Sequence, residues 1–583
     1  GARPRRAVTR AQAPPDVADA AVCDAVTLDA LRPLGNSGKP RVVVLGSGWG
    51  AMTFLKDLKP GAYEVVVVSP RNYFLYTPLL PASATGAVED RSIVEPVRKQ
   101  FASKGFAYVQ AKALHIDPKK RTVSCSAGSS AGGAGCEFEL EYDYLVNAVG
   151  SVPNTFGTPG VEENAIFFKE VTHAVELRQR VLLALERASL PGTSVETARE
   201  LLTFTIVGGG PTGVELAGEL YDLLREDVAK EYPKDLMELV KVVIVELQDH
   251  ILSMYDRKIS EYATDQFKRR SAGKNFEVKL NSLVKAVEPN RLIIADKVTG
   301  EESAIPFGAC VWSTGIKMHP LCEELKQTLC DDDPESCPAN IRSLATDKSL
   351  RVKGTAAGGR IFALGDCATV ERPLALEAAK RLFCGGKSDE QCSAFLDKEQ
   401  LLEVLTAGAK DFPHLGEIAN AIDKEWDGIR GDQEKVGFQA FTQMLERADN
   451  NLRAFPATAQ VAKQEGQHLA SVFNSSAADP QSMATDPNLA RFDYNDKGSL
   501  AYIGADNAVM DIAGVGQLKG FAVGYLWRGF ETISQISLRN AVLVAGDWVY
   551  AKLFGRCTSR LLDVDVVPIK EDVGEPLETV SAK

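Results

Sequence analysis

Two short stretches carry residues whose spacing suits nucleotide chemistry. VVVLGSGWGA, residues 42–51, contains Gly46-x-Gly48-x-x-Ala51, and FTIVGGGPTG, residues 204–213, contains Gly208-x-Gly210-x-x-Gly213. In each, the first glycine permits a sharp turn at the end of an apolar run. The second lets backbone N–H groups approach a pyrophosphate, and the third small residue lets a helix pack against the strand. The pyrophosphate would sit at the positive end of the helix dipole. Either pattern alone also reads as a plain tight turn.

The acids near these turns extend the reading. The apolar run after the second turn ends in Glu246. A carboxylate there accepts both ribose hydroxyls of an adenosine and repels a 2′-phosphate, so NADH is expected over NADPH. A solvated acid at a strand end is the plainer alternative. The run after the first turn ends in Ser69, which can bind only one hydroxyl. Glu215, two residues past Gly213, either balances the helix dipole or meets the nicotinamide end of a dinucleotide. NAVG (147–150) and WSTG (312–315) close strands with small residues, as close approach to a cofactor requires. FALGDCA (362–368) places Asp366 where it can accept from a ribityl hydroxyl of FAD, cap a helix, or both.

Strand–turn–helix–strand units must position these residues. RVVVLG, AMTFLKDL and YEVVVVSP form the first, and LLTFTIVGGG, VELAGELYDLLRED and VKVVIVEL the second. The continuous apolar strands suggest parallel sheets buried on both faces. Residues 124–150 read as a hairpin with a Gly/Ser/Ala loop that ends in a buried strand. Two such units suggest a flavoprotein with two dinucleotide-binding domains, FAD first and NAD(P)H second. The fold class expected is α/β, with two Rossmann-like domains and a C-terminal membrane-surface helical segment.

Composition excludes several classes. At 583 residues the chain should form two to four domains. A net charge of −12 argues against a nucleic-acid partner. Eleven cysteines form no CxxC; Cys330 with Cys337, or Cys384 with Cys392, could pair, but nothing requires it, and the spacing fits a reducing compartment. The six histidines never reach zinc-site spacing, so no metal is expected. No apolar run is long enough to span a membrane. GARPRRAVTRAQA, with four Arg and no acid, reads as a transit-peptide remnant or equally as a loose basic tail.

Five motifs in order carry a more specific resemblance: SPRNYFLYTPLLP (69–81), VGGGPTGVELAGEL (207–220), FALGDCA (362–368), PATAQVAKQEGQHLA (456–470) and LWRGFETISQISLRNAVLVAGDW (526–548). From about Lys39 to Leu561 the chain resembles type II NADH:quinone oxidoreductases, the non-pumping NADH dehydrogenases, and most of all their mitochondrial and plastid branch. In that branch Ser-Pro-Arg replaces the usual acid, which accounts for Ser69.

The resemblance implies non-covalent FAD held by Gly46, Ser47, Gly48, Trp49 and Ala51, with Ser69, Arg71, Thr77 and Pro78, and completed by Ala148, Gly150, Gly365 and Asp366. NADH would be held by Gly208, Gly210, Thr212, Gly213, Glu215, Glu246 and Gly315. Ala459 and Gln460 would face the quinone side of the flavin, with Lys463 one turn further along the quinone tunnel. Read without the resemblance, Gln460 is a helix residue with a satisfied amide. The division expected is 1–38 targeting remnant, 39–165 and 316–475 a discontinuous FAD domain, 166–315 an inserted NADH domain, and 476–583 a membrane-association domain.

Ubiquinone and plastoquinone reside in lipid, so the enzyme must touch a bilayer. Residues 518–557 suit that contact, with Leu526, Phe530, Ile533 and Ser537 at helical spacing and Trp527, Trp548 and Tyr550 for the interface. Arg528, Arg539, Lys552 and Arg556 could meet anionic headgroups. The same stretch could instead pack a core or a homodimer. AVTRAQA favours a plastid thylakoid over a mitochondrial inner membrane. The insertion at about 370–450 reads as a degenerate calcium-binding pair. DEQCSAFLDKEQ ends in Gln400, and EKVGFQAFTQML has Val436 and Phe441 in place but Ala440 at the final ligand position, so no tight calcium site is expected. The alternatives are sulfide:quinone or disulfide reduction, for which Cys367 lacks a clear partner, and a flavin-binding protein with little turnover.

Overall fold

The computed structural model describes residues 38–559 apart from 129–135, 271–274, 335–341, 373, 386–394, 413, 432, 453 and 513–515. The targeting remnant, the hairpin loop tip and the first half of the first degenerate calcium loop fall outside the described residues.

The first parallel sheet runs in the spatial order Ile361–Ala363, Tyr144–Asn147, Arg41–Leu45, Glu64–Ser69, Ala107–Gln110. Its valine runs show why it forms. Val42, Val44, Val65 and Val67 face one apolar cluster, while Val43, Leu45, Val66 and Val68 face another. Alternate residues point to opposite faces of a strand, so a sheet covered on both faces needs uninterrupted apolar sequence.

The second parallel sheet runs Ile166–Phe167, Ala309–Trp312, Thr203–Val207, Lys241–Val245, Phe276–Lys279. The chain leaves the first sheet at Asn147, builds the second between residues 166 and 312, and returns with Ile361–Ala363. Ser151–Pro153 and Ile316–Met318 pair antiparallel where it passes between the two sheets.

The helix Ala459–Ser475 lies against Trp49–Asp57 at close range. A Cβ on Gly466 would sit 2.5 Å from the Gly50 carbonyl oxygen, so the contact depends on backbone approach. The insertion has an apolar cluster of its own, built on Lys398–Gly408, His414–Arg430 and Phe438–Asn450. Phe395–Leu396 and Val436–Gly437 pair antiparallel there, joining the two degenerate loops.

The tail is a three-stranded antiparallel meander, Ser499–Gly504, Asn507–Ile512 and Gly516–Gly520, followed by the helices Phe521–Ile533 and Leu538–Phe554. Phe521, Tyr525, Leu526, Phe530 and Ile533 are exposed on the first helix, and Leu538, Val542, Val549, Tyr550, Leu553 and Phe554 on the second. No helix of the described residues is long and apolar enough to cross a membrane.

Several interface expectations are corrected here. Trp527 is buried and stacks on Tyr502 at 4.8 Å. Arg528 pairs with Asp506 at 2.6 Å, and Arg556 turns inward to Glu219, Glu226 and Asp227. Lys552 and Arg539 pair with Asp506 and Glu95 but keep exposed side chains, so the expectation for these two is not overturned. Ser537 caps the second helix by accepting from the Asn540 N–H, so it does not continue the stripe of the first. Helical spacing identified the exposed apolar face, but the acids that claim the cations come from distant segments. Cys330 and Cys384, both named above as able to pair, are each disulfide-bonded, and Cys337 and Cys392 lie outside the described residues.

Candidate functional site

Both glycine turns open helices without a side-chain cap. Gly48 precedes Trp49–Asp57 and Gly210 precedes Pro211–Asp222, and neither helix start receives a side-chain hydrogen bond. The first-turn N–H groups are thus available to an anion. Gly46 has φ +107°, and a Cβ there would sit 2.3 Å from the Ala148 carbonyl oxygen. Gly213 is equally tight, its Cβ position lying 2.0 Å from the Gly208 oxygen. The first approach brings a turn against the strand end at Ala148, and the second packs a helix closely onto its own turn, as a pyrophosphate cradle requires. Ala51 is fully buried within the first helix, while Thr212 is exposed at the start of the second.

The side chains around the first turn are mutually bonded. Ser47 and Ser69 hydroxyls lie 3.0 Å apart, and the Arg71 N–H donates to Ser69. Ser69 is only 2% exposed, so its hydroxyl serves the turn itself. Arg71 pairs with Glu170 at 2.6 Å. Trp49 Nε1 donates to Thr77 Oγ1, next to half-buried Pro78. Across the sheet ends, Asp366 accepts from Ser151 Oγ at 3.1 Å and lies 3.8 Å from Lys169 Nζ. Burial lowers the Lys169 ammonium despite that carboxylate. Gly150, Gly315 and Gly365 hold positive φ at 75°, 73° and 74°, shaping the chain where the two sheets join.

A cavity of about 230 Å³ opens beside Asp366, lined also by Ser151, Gly365, Thr458, Val461, Ala462 and Glu465. Its polar wall, the open helix start and the glycine approaches fit the ribityl and pyrophosphate parts of a flavin dinucleotide. Glu465 was not singled out by sequence. Its buried carboxyl accepts from the Gly365 N–H at 2.6 Å, and burial pushes it up to about 8. It stands within the quoted motif 456–470, but its partner lies a hundred residues away, so no local signal marks it.

The quinone-side residues divide. Gln460 donates to the Gly498 carbonyl and accepts from the Lys497 N–H. Gln464 holds Asn495 in the same way, and His468 bonds the Ala490 carbonyl. Residues 460, 464 and 468 thus fasten the segment 490–498 to one helix face. The satisfied-amide reading of Gln460 is what the structure shows. Ala459 opens the helix beside it. Lys463 is exposed, and its ammonium is lowered by partial burial and by Lys497 and Lys56.

At the second turn, Glu246 accepts from the Gly209 N–H at 2.6 Å and the Gln248 N–H at 2.8 Å. The carboxylate is held directly beneath the turn. Glu215 accepts from the Tyr502 N–H at 3.3 Å, and burial, then the nearby Glu531, raise its carboxyl well above the usual range. Cys367 does have a partner, which corrects the sequence reading: Cys322 lies within hydrogen-bond reach, and Asn147 Nδ2 donates to Cys322 Sγ. Both thiols are fully buried, so no external disulfide can reach them. Among the described residues no cluster of His, Cys, Asp and Glu could hold a metal.

Comparison with known proteins places this chain in a family. The pyridine nucleotide-disulphide oxidoreductase family matches residues 40–381, and the NDH2 C-terminal domain matches residues 497–557. The chain belongs to the type II NADH:quinone oxidoreductase (NDH2) family. It is 38% identical over 542 residues to external alternative NAD(P)H-ubiquinone oxidoreductase B1, mitochondrial, of Solanum tuberosum, covering 90% of this chain and 91% of that protein. It is 34% identical over 536 residues to the external alternative NADH-ubiquinone oxidoreductase, mitochondrial, of Yarrowia lipolytica, covering 90% and 81%. The solved structure of NDH2 from Plasmodium falciparum in complex with NADH superposes with a TM-score of 0.76 at 28% identity, covering 90% of this NDH2 chain and all of that one. A sulfide:quinone oxidoreductase from Aquifex aeolicus, at TM-score 0.54 and 17% identity, shares the fold alone.

Proposed function

We propose that this NDH2 chain oxidises NADH through non-covalent FAD and reduces a membrane quinone by two electrons without pumping protons. The observation that carries the reading is the junction between the sheets. Gly150 and Gly315 lead directly into the paired strands Ser151–Pro153 and Ile316–Met318, so the two open-ended turns belong to adjoining sites. FAD, when bound, would accept hydride from NADH and pass two electrons to quinone.

The chain's own residues supply position and polarity. The Trp49 helix start and Gly46, Ser47 and Gly48 would take the FAD pyrophosphate, and Asp366 the ribityl chain. The Pro211 helix start and Glu246 would take the NADH pyrophosphate and ribose. Glu215, on the first turns of that helix, would face the nicotinamide end. The exposed apolar face from Phe521 to Phe554 would rest on the bilayer, as monotopic helices do.

The curated relatives named above are mitochondrial, so ubiquinone at a mitochondrial membrane is favoured, and the thylakoid suggested by AVTRAQA gains no support from them. A homodimer remains part of the proposal, to be checked by sedimentation. The deciding experiment is optical. Purified protein should be yellow, bleach with NADH under anaerobic conditions, and regain colour with a short-chain ubiquinone. Colourless protein, or bleached protein that quinone leaves reduced, would overturn the reading.

A further inference from the structure

We propose that Lys169 is a positioning residue that sets the reduction potential of the bound flavin, by balancing the charge of the carboxylate that takes its ribityl chain. The proposal rests on the FAD reading above.

Three segments meet at this point. The Lys169 ammonium donates to the Ser151 carbonyl and hydroxyl, each at 2.7 Å, and stands 3.8 Å from Asp366 Oδ2. The Ser151 hydroxyl in turn donates to Asp366 Oδ2 at 3.1 Å. Ser151 and Asp366 line the cavity, whereas Lys169 touches both without lining it. Ser151 follows the strand Tyr144–Asn147 and Asp366 follows Ile361–Ala363, both of the first sheet. Lys169 follows Ile166–Phe167 of the second. The second sheet therefore sends a cation to the flavin side of the junction.

The backbone around Lys169 is fixed. The N–H groups of Lys169 and Glu170 both donate to His173 Nδ1, and Glu170 caps the helix Val171–Ala188. Glu170 pairs with Arg71 at 2.6 Å. Two neighbouring residues of opposite charge thus answer two charges of the first nucleotide site, Asp366 and Arg71, and each pair is neutral.

That neutrality bears on how readily the site accepts electrons. A flavin that has taken up a hydride carries negative charge at neutral pH. The Asp366 carboxylate on its own would oppose this charge, and in a half-buried site water screens the opposition poorly. Lys169 offsets it. Without the ammonium, Asp366 is an uncompensated negative charge beside the cofactor, which favours oxidised flavin. The other charged groups facing Lys169 are Glu170 and Arg71, which answer each other, and His319 just past Ile316–Met318. Burial lowers the Lys169 ammonium, so it gives up its proton earlier than an ordinary lysine as pH rises.

The midpoint potential of the flavin in purified holoenzyme, read against a reference dye, tests this without turnover. Lys169→Met should shift the two-electron equilibrium about tenfold towards oxidised flavin, equivalent to a potential ~30 mV more negative. Lys169→Arg should keep the wild-type value at neutral pH. In alkaline solution the wild-type potential should fall more steeply than that of Lys169→Arg, whose guanidinium stays protonated. This second comparison needs no Lys169→Met protein, should that variant fold poorly. A Lys169→Met equilibrium within twofold of wild type, even with weakened flavin retention, would mean that the residue only props the cavity wall, and would overturn the proposal. Identical alkaline slopes for wild type and Lys169→Arg would overturn it as well. Colourless wild type would instead defeat the FAD reading beneath it.

Discussion

Among single residues, Glu246 is the one proposed above to set cofactor choice. Its two oxygens accept from Gly209 and Gln248, which fixes the carboxylate under the second turn with lone pairs left for a ribose. A fixed negative charge there disfavours a 2′-phosphate. Glu246→Gln should raise KM for NADH about tenfold, equivalent to ~1.4 kcal/mol, and lower the NADH-over-NADPH preference. Steady-state kinetics with both nucleotides check this, and a wild type preferring NADPH would contradict it. Glu465 makes a prediction about pH. Its folded carboxyl holds a proton up to about pH 8, whereas the ordinary value is 4.5. Between those values the folded state binds the extra proton, so stability falls as pH rises through the window. Glu465→Gln removes that dependence. Its thermal midpoint should equal wild type near pH 4.5 and exceed it increasingly towards pH 8, as a pH series of melts would show.

Among the elements, the two tail helices combine opposite duties. One side of Phe521–Ile533 buries Val523, Trp527 and Glu531, and the other exposes Leu526, Phe530 and Ile533. Fully burying a large apolar side chain stabilises by about 2 kcal/mol. Phe530→Ser with Ile533→Ser should therefore reduce partitioning onto phospholipid vesicles at least tenfold. Reduction of a water-soluble short-chain quinone should stay near wild type. Co-sedimentation and a parallel assay measure the two outcomes, and undiminished vesicle binding would mean that this face serves another partner.

For the molecule as a whole, the tail and the second nucleotide domain are joined by a buried charge cluster. Arg556 contacts Glu219, Glu226 and Asp227, and Tyr502 donates to Asp222 at 2.7 Å. Backbone contact adds to this, since a Cβ on Gly218 would sit 2.7 Å from the Gly504 nitrogen. Removing one member of a buried pair strands the others without compensation, at roughly 3–5 kcal/mol. Arg556→Ala should lower the thermal midpoint by several degrees and expose the junction to proteolysis, with Arg556→Lys intermediate. A midpoint within a degree of wild type would show that water relieves the acids.

Much of this protein was legible in order along the chain. Strand-to-glycine turns, their helices and the acid after the second turn are local patterns, because a phosphate cradle is built from consecutive residues. The exposed stripe on the tail could be read from helical spacing for the same reason. Partner choice was not legible: the inward turn of Arg528 and Arg556, the burial of Trp527, the backbone bonds of Gln460, and the meetings of Cys367 with Cys322 and Glu465 with Gly365 all join segments far apart in sequence. An apolar or charged residue announces its type, but whether it faces lipid, solvent or a buried acid depends on what another segment brings against it. The amino-acid order thus determined the nucleotide cradles and the fold class. Only the tertiary structure decided which polar groups stay free for chemistry, because hydrogen bonds and ion pairs are satisfied by proximity in space.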